Sequence, residues 1–150
     1  MKESIGLTVT INIVIIFVMV SFVFVVGIYS YAKAYKASSL IIKSLEKYEG
    51  YNGLAYDQIN KDLYTLGYIQ GNSSKCSETK NASIGEGKLV TLNDQEKFQY
   101  CIYLFDNDGD EKHYSYGIVT YMTVDFTMFN LKLKLPIYAR TTRIYRFTNT

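Results

Sequence analysis

The sequence predicts an α+β protein with a long N-terminal helix, a short second helix and a small antiparallel meander of about four strands. Two patterns carry this prediction. Residues 5–32 contain no charged side chain and consist mostly of Ile, Val, Phe and Met, which indicates a membrane-spanning helix. From Leu89 onward, apolar residues recur at every second position, which is typical of strands with one buried face. The chain of 150 residues has the length of one domain.

The apolar window runs from Leu7 to Tyr31. It holds about 25 residues, and about 20 are enough for a helix to cross roughly 30 Å of hydrocarbon. The apolar part of a signal peptide has only about 7–15 residues, although Ala32-Lys33-Ala34 matches the pattern of a cleavage site. We therefore predict an uncleaved transmembrane anchor over residues 1–32 and a soluble domain over residues 33–150. Cleavage as a signal peptide is the alternative.

The charges that flank the window bear on its orientation. Lys2 precedes the window, and four lysines follow it: Lys33, Lys36, Lys43 and Lys47. By the positive-inside rule this excess favours a cytoplasmic C-terminus. A long domain can cross the membrane regardless of its charge, however, and the Tyr-rich strands and the cysteines suit the outside of a cell. We predict a single-pass protein whose C-terminal domain is extracellular, with the cytoplasmic orientation as the alternative.

The first helix is predicted to continue beyond the membrane. An apolar stripe with spacings of three and four residues follows the window, at Ala34, Ala37, Ile41, Leu45 and Tyr48. Gly50 is a helix stop, so one helix is expected from about Ile5 to Tyr48. Its first half would lie in lipid, and its amphipathic second half would pack against the soluble domain.

A second helix is predicted from about Tyr56 to Leu66, with Gly67 at its end. Its apolar face consists of Ile59, Leu63 and Leu66. Asp57 is expected in the first turn, where the helix dipole favours a carboxylate.

The strands are predicted from four apolar or alternating runs: Phe98–Phe105, Tyr114–Phe126, Phe129–Ile137 and Tyr138–Phe147. Short connections between them indicate a meander whose apolar face packs on the helix stripe. Pro136 cannot donate to a sheet ladder, so it is expected at a strand end or in an edge strand.

The segment between the first two runs resembles a calcium loop at first sight. Asp106, Asp108 and Asp110 place oxygen ligands at alternate positions, as a hard cation requires. An EF-hand, however, needs Gly at its sixth position and Glu at its twelfth, where this chain has Glu111 and Gly117. We predict a hairpin turn at Asp108-Gly109, with calcium binding as the weaker alternative.

The remaining reactive residue types are few. Cys76 and Cys101 are the only cysteines and are predicted to form a disulfide, with two free thiols as the alternative. His113 is the only histidine and is interpreted as a polar residue that flanks a turn. The sequence has no nucleophile elbow, phosphate-binding glycine loop or metal pair, so we predict neither an enzyme nor a cofactor.

Charged surfaces give no sign of a nucleic-acid partner. The net charge of +2 is too small for a nucleic-acid footprint. Three arginines follow one another near the C-terminus, at Arg140, Arg143 and Arg146. We interpret them as charged residues that protect an edge strand from pairing with other chains, with a basic binding surface as the alternative.

Three positions in the apolar window are candidates for contact with a partner helix: Asn12, Ser21 and Gly27. For Asn12, the alternative is an amide that reaches the lipid headgroups, because it lies near one end of the window.

The order of these elements resembles a known class of filament proteins. The resemblance depends on Glu3-Ser4-Ile5-Gly6 at the start of the apolar run and on Tyr29 to Tyr35 at its end. It depends further on the runs Ile118–Met122, Leu135–Ile137 and Thr141–Tyr145. Together they look like the TadE/TadF-like minor pilins of bacterial tight-adherence pili, within the type IV filament superfamily.

The resemblance implies a pilin-like fold in the bacterial plasma membrane and a role as minor pilin or pseudopilin in a pilus or secretion filament. The partners it implies are the lipid bilayer, other pilin-like subunits and the membrane assembly machinery. Type IV pilins carry Glu at the fifth residue after the cleaved Gly, whereas the fifth residue after Gly6 is Ile11. A polymerised subunit and a permanently anchored assembly factor both remain open. A single-pass surface module for binding or sensing is the alternative function.

Overall fold

The computed structural model describes residues 2–68, 76, 87–91, 98–106, 113–126 and 131–145. They form an α+β fold, as predicted from the sequence. The helices are α1 (Lys2–Lys47) and α2 (Gly53–Leu66). The strands are β1 (Lys88–Leu89), β2 (Tyr100–Asp106), β3 (His113–Phe126), β4 (Leu131–Arg140) and β5 (Ile144–Tyr145).

Helix α1 is continuous from the apolar window into the folded domain, which confirms the prediction of one long helix. Its 46 residues correspond to a length of about 69 Å at 1.5 Å per residue. The helix stops because Glu49 and Gly50 both adopt a positive φ, at 50° and 136°. The N–H of Gly50 then donates to the carbonyl of Leu45 at 2.9 Å, which satisfies one of the last free carbonyls.

The predicted apolar stripe of α1 forms one wall of the core. Ala34, Ala37, Ile41 and Leu45 are fully buried. Tyr48 is only half-buried and lies outside the core, with the Lys47 ammonium 5.0 Å from its ring centroid. The small side chains at Ala34 and Ala37 let the sheet approach α1 closely, so that the Thr120 hydroxyl donates to the Ala34 carbonyl at 3.1 Å.

Helix α2 begins three residues earlier than predicted, because Asn52 caps it. The Asn52 side-chain oxygen accepts from the N–H of Ala55 at 2.9 Å. The prediction that Asp57 lies in the first turn is therefore wrong. The helix ends where predicted, at Gly67, whose φ of 66° is left-handed. Its inner face buries Ala55, Ile59 and Leu63, whereas Leu66 is half-buried.

The sheet is antiparallel, with strand order β1-β2-β3-β4. The fourth strand predicted over Tyr138–Phe147 is not one strand in the structure. Its first residues, 138–140, belong to β4, and β5 pairs with the start of β3 rather than with β4. The reason is length: β4 covers β3 only as far as Gly117, and β5 then pairs with His113 and Tyr114. Pro136 lies in β4, which has a partner on one side only among the described strands, as expected for an edge.

The two faces of the sheet bury different clusters. Side chains of Tyr100, Ile102 and Ile118 face the helices and share one core with Ile41 and Ile59. The opposite face carries a second cluster, formed by Cys101, Tyr103, Phe105 and Val119. Cys76, Leu89 and Tyr121 pack against this second cluster.

Candidate functional site: the apolar helix and the sheet

The first half of α1 is the largest exposed apolar surface of the described residues. Every side chain from Gly6 to Val26 is exposed. The described part of the chain buries none of the most apolar stretch of the helix. Its length and composition suit a single-pass membrane anchor, a property that signal sequences share. A surface of this size requires lipid or other proteins to cover it.

The three predicted helix-contact positions do not form one patch. At 100° per residue, Gly27 lies about 60° around α1 from Asn12, and Ser21 lies on the opposite side. The Ser21 hydroxyl donates to the carbonyl of Phe17 at 2.8 Å, within its own helix. Gly27 has open space where a Cβ would point. One partner helix therefore could not contact Asn12 and Ser21 with the same face, and Gly27 faces the β3–β4 hairpin.

The two cysteines form a disulfide in the structure, the first of the two alternatives from the sequence. The Cα atoms of Cys76 and Cys101 lie 5.7 Å apart. Cys101 is fully buried in the second sheet cluster, next to Tyr103 and Val119. The bond fastens Cys76 to the face of the sheet that points away from the helices.

Tyr68 holds the sheet and the helices together, and sequence reasoning did not find it. Its hydroxyl accepts from the N–H of Tyr121 at 2.9 Å and can donate to the carbonyl of Tyr121 at 2.9 Å or of Gln99 at 3.0 Å. The side chain is only 2% exposed, and burial raises its pKa to about 12. Tyr68 follows the end of α2 directly and belongs to no periodic pattern, so only its place after Gly67 could have suggested a role.

The pKa of Tyr68 predicts a loss of stability at alkaline pH. Because its folded-state pKa is about 12 and its unfolded value is 10.0, the contribution is complete below pH 10 and is lost as pH rises through 12. We expect about 2 to 3 kcal/mol less free energy of unfolding over that interval. Urea unfolding of the full chain in detergent micelles measures it. Tyr68→Phe should flatten this part of the pH curve, and an unchanged curve would contradict the assignment.

Other perturbed groups lie on the outer sheet face and have structural partners. The Lys134 ammonium donates to the side-chain oxygen of Gln99 and lies 4.5 Å from the ring centroid of Tyr121. Burial lowers the pKa of Lys134 and raises the pKa values of Tyr103 and Tyr121. These pKa shifts follow from packing. Among Lys134, Tyr103 and Tyr121 they do not indicate a nucleophile paired with a base.

The calcium alternative finds no support in the described part of the chain. Asp106 is exposed at the end of β2, while Asp108 and Asp110 lie outside the described residues. The ranges that are described contain no group of three or more potential metal-binding side chains. Antiparallel β2 and β3 are joined through residues 107–112, so this connection is a hairpin, although the turn at Asp108-Gly109 itself is not described.

His113 and Arg140 are part of the sheet. His113 is the first residue of β3, and its ring packs edge-on against Tyr145 at 5.0 Å. Arg140 donates to the Ser115 hydroxyl from two nitrogens, at 3.0 and 2.9 Å, and its guanidinium lies 4.6 Å from the Phe105 ring centroid. Arg143 is exposed between β4 and β5, and Arg146 lies outside the described residues.

Comparison with protein-family models, with curated proteins and with solved structures finds no match to this chain. The class that the fold defines is an α+β protein with a long apolar N-terminal helix.

Proposed function

We propose that this protein is a pilin-like subunit, a minor pilin or pseudopilin, that is anchored in a bacterial plasma membrane and takes part in assembling a pilus or secretion filament. The observation that carries the proposal is the architecture of α1. One unbroken helix has an exposed apolar half, while its other half packs against the antiparallel sheet in the core of a small domain.

This architecture supports a role in association between subunits. The exposed half of α1 is much larger than the sheet could cover, and the sheet packs only on the second half. In the membrane the apolar half is solvated by lipid, and on association it can pack against other helices without a change in its own fold. Asn12 favours such packing, because a side-chain amide in hydrocarbon is stabilised by a hydrogen bond to a partner helix.

The sheet offers the second contact surface. The outer edge of β4 is free of a partner strand among the described strands and carries Pro136, which limits uncontrolled strand addition. We therefore expect subunits to associate first through α1 and then through side-chain contacts of the sheet.

A span-replacement experiment tests the proposal. Residues 7–26 are replaced by a leucine-rich segment of the same length, which still anchors the protein but removes its specific helix surface. We expect the native chain to show energy transfer between labelled copies in vesicles and to be recovered with sheared surface filaments. The replacement variant should lose both.

The matched control is Val25→Leu, a conservative change in the same helix. It should keep association and filament recovery. Two results together would contradict the proposal: the native chain stays in the membrane fraction, and replacing residues 7–26 changes neither energy transfer nor recovery. They would favour a surface module for binding or sensing.

A further inference from the structure

An apolar groove separates α1 from the far end of the β3–β4 hairpin. It encloses about 530 Å³. Its helix wall includes Val23, Gly27 and Tyr31, and its sheet wall includes Val124, Leu133 and Leu135. None of the described residues that line it is charged. One wall of the groove is therefore the end of the predicted membrane span itself.

The register between β3 and α1 explains why the groove lies there. The two elements run in opposite directions: Tyr114 bonds to the carbonyl of Glu49, and Thr120 bonds to that of Ala34. From Thr120 to Val124 the strand advances about 13 Å, which equals about nine residues of helix. This arithmetic brings Val124 to the level of residues 23–27, in agreement with the groove lining.

Those residues lie at the domain-side boundary of the hydrocarbon. About 20 helical residues cross the layer, so a span that enters at Leu7 leaves it near residue 27. Val23 lies about 6 Å inside that boundary. The described end of the hairpin therefore reaches the depth at which interfacial elements bury apolar side chains, about 5–10 Å.

The hairpin has the amphipathic character that this depth requires. Its helix-facing side carries the cross-strand pairs Met122–Leu135 and Val124–Leu133. Leu133 and Leu135 remain 43% and 49% exposed, although they lie on the inner side of the sheet. The opposite side carries Lys134, whose ammonium stays with Gln99 and Tyr121.

We propose that the described far end of the β3–β4 hairpin, at residues 122–124 and 133–135, is a second membrane contact, which lies in the interface on the domain side while lipid acyl chains fill the groove. Acyl chains are the expected occupant because the groove is apolar and is continuous with the span that they already surround. The outer edge of β4, where none of the described strands pairs, limits the depth, since backbone groups at a sheet edge are not tolerated in hydrocarbon. The inference depends on the anchor and does not depend on pilus assembly.

The absence of tryptophan from the chain gives a direct test. Single-tryptophan variants of the full chain are placed in two sets of phosphatidylcholine vesicles, whose acyl chains are brominated either near the headgroup or near the chain end. The variants are Leu133→Trp and Leu135→Trp in the hairpin, Phe17→Trp within the span, and Tyr138→Trp on the other face of β4. Leu133 and Leu135 are partly exposed, so the larger ring is tolerated, and the disulfide bond reports correct folding.

We expect the emission of Leu133→Trp and Leu135→Trp to be quenched by the lipid brominated near the headgroup, because elements in the interface bury apolar side chains about 5–10 Å deep, near those bromines. Tyr138→Trp should keep its emission. Unquenched hairpin variants beside a quenched Phe17→Trp would overturn the second contact while leaving the anchor and the proposed function in place. Blue-shifted but unquenched hairpin emission would mean that protein covers the groove, which also overturns it. A Phe17→Trp variant that neither brominated lipid quenches would remove the anchor and, with it, both proposals.

Discussion

Replacing both Cys76 and Cys101 by serine is expected to lower the free energy of unfolding by about 3 to 4 kcal/mol. The bond closes a loop over a sequence separation of 25 residues, and the stabilisation comes largely from the restricted unfolded chain. Urea unfolding of the full chain in detergent micelles measures the difference.

Reduction of the native protein is the control for the serine variant. Because both treatments remove the same bond, reduced native protein should unfold at the same urea concentration as the variant under reducing conditions. Native protein that is indifferent to reductant would show that the bond contributes nothing to stability. A serine variant less stable than the reduced protein would instead indicate lost packing at Cys101, which is fully buried.

The second large effect is expected at Ile41. Its side chain is fully buried where α1 meets the sheet, in one cluster with Ile59 and Ile102. Ile41→Ala should cost about 2 to 5 kcal/mol, from lost burial and from the cavity that remains. The same urea titration measures this loss.

The span supplies a matched control for Ile41. Ile13 is exposed on the apolar half of α1, so Ile13→Ala makes the same chemical change without opening a cavity in the domain. We expect its effect on unfolding of the domain to stay within about 0.5 kcal/mol. Equal losses at the two positions would mean that the core does not lie where the structure places it.

Much of the fold could be predicted because the strongest patterns were long. The apolar stripe at Ala34 begins directly after the apolar window, with no proline between them, so the continuity of α1 followed from residues 7–45. The alternation in β3 and β4 was equally regular. The prediction failed where a local signal decided the outcome: Asn52 caps α2 earlier than the apolar spacing suggested, and the unequal lengths of β3 and β4 moved β5 to another partner.

The interaction surfaces were less predictable. Residue types suggested Asn12, Ser21 and Gly27 together, but the helical phase separates Ser21 from the other two. Tyr68 had no sequence signal because its role depends on backbone groups of Gln99 and Tyr121, which are distant in sequence. The groove beside Val23 also depends on the register between β3 and α1, and a single sequence does not specify how two separate elements align.

The unbroken course of α1 also has a mechanical consequence. The helix passes from the membrane window into the core without a hinge, and Thr120 bonds to it at Ala34, only three residues past Tyr31. The domain is therefore connected to the apolar segment by a rigid helix and not by a flexible linker. A pull on the domain would pass along the helix axis to the span, and a rotation of the span would turn the domain by the same angle.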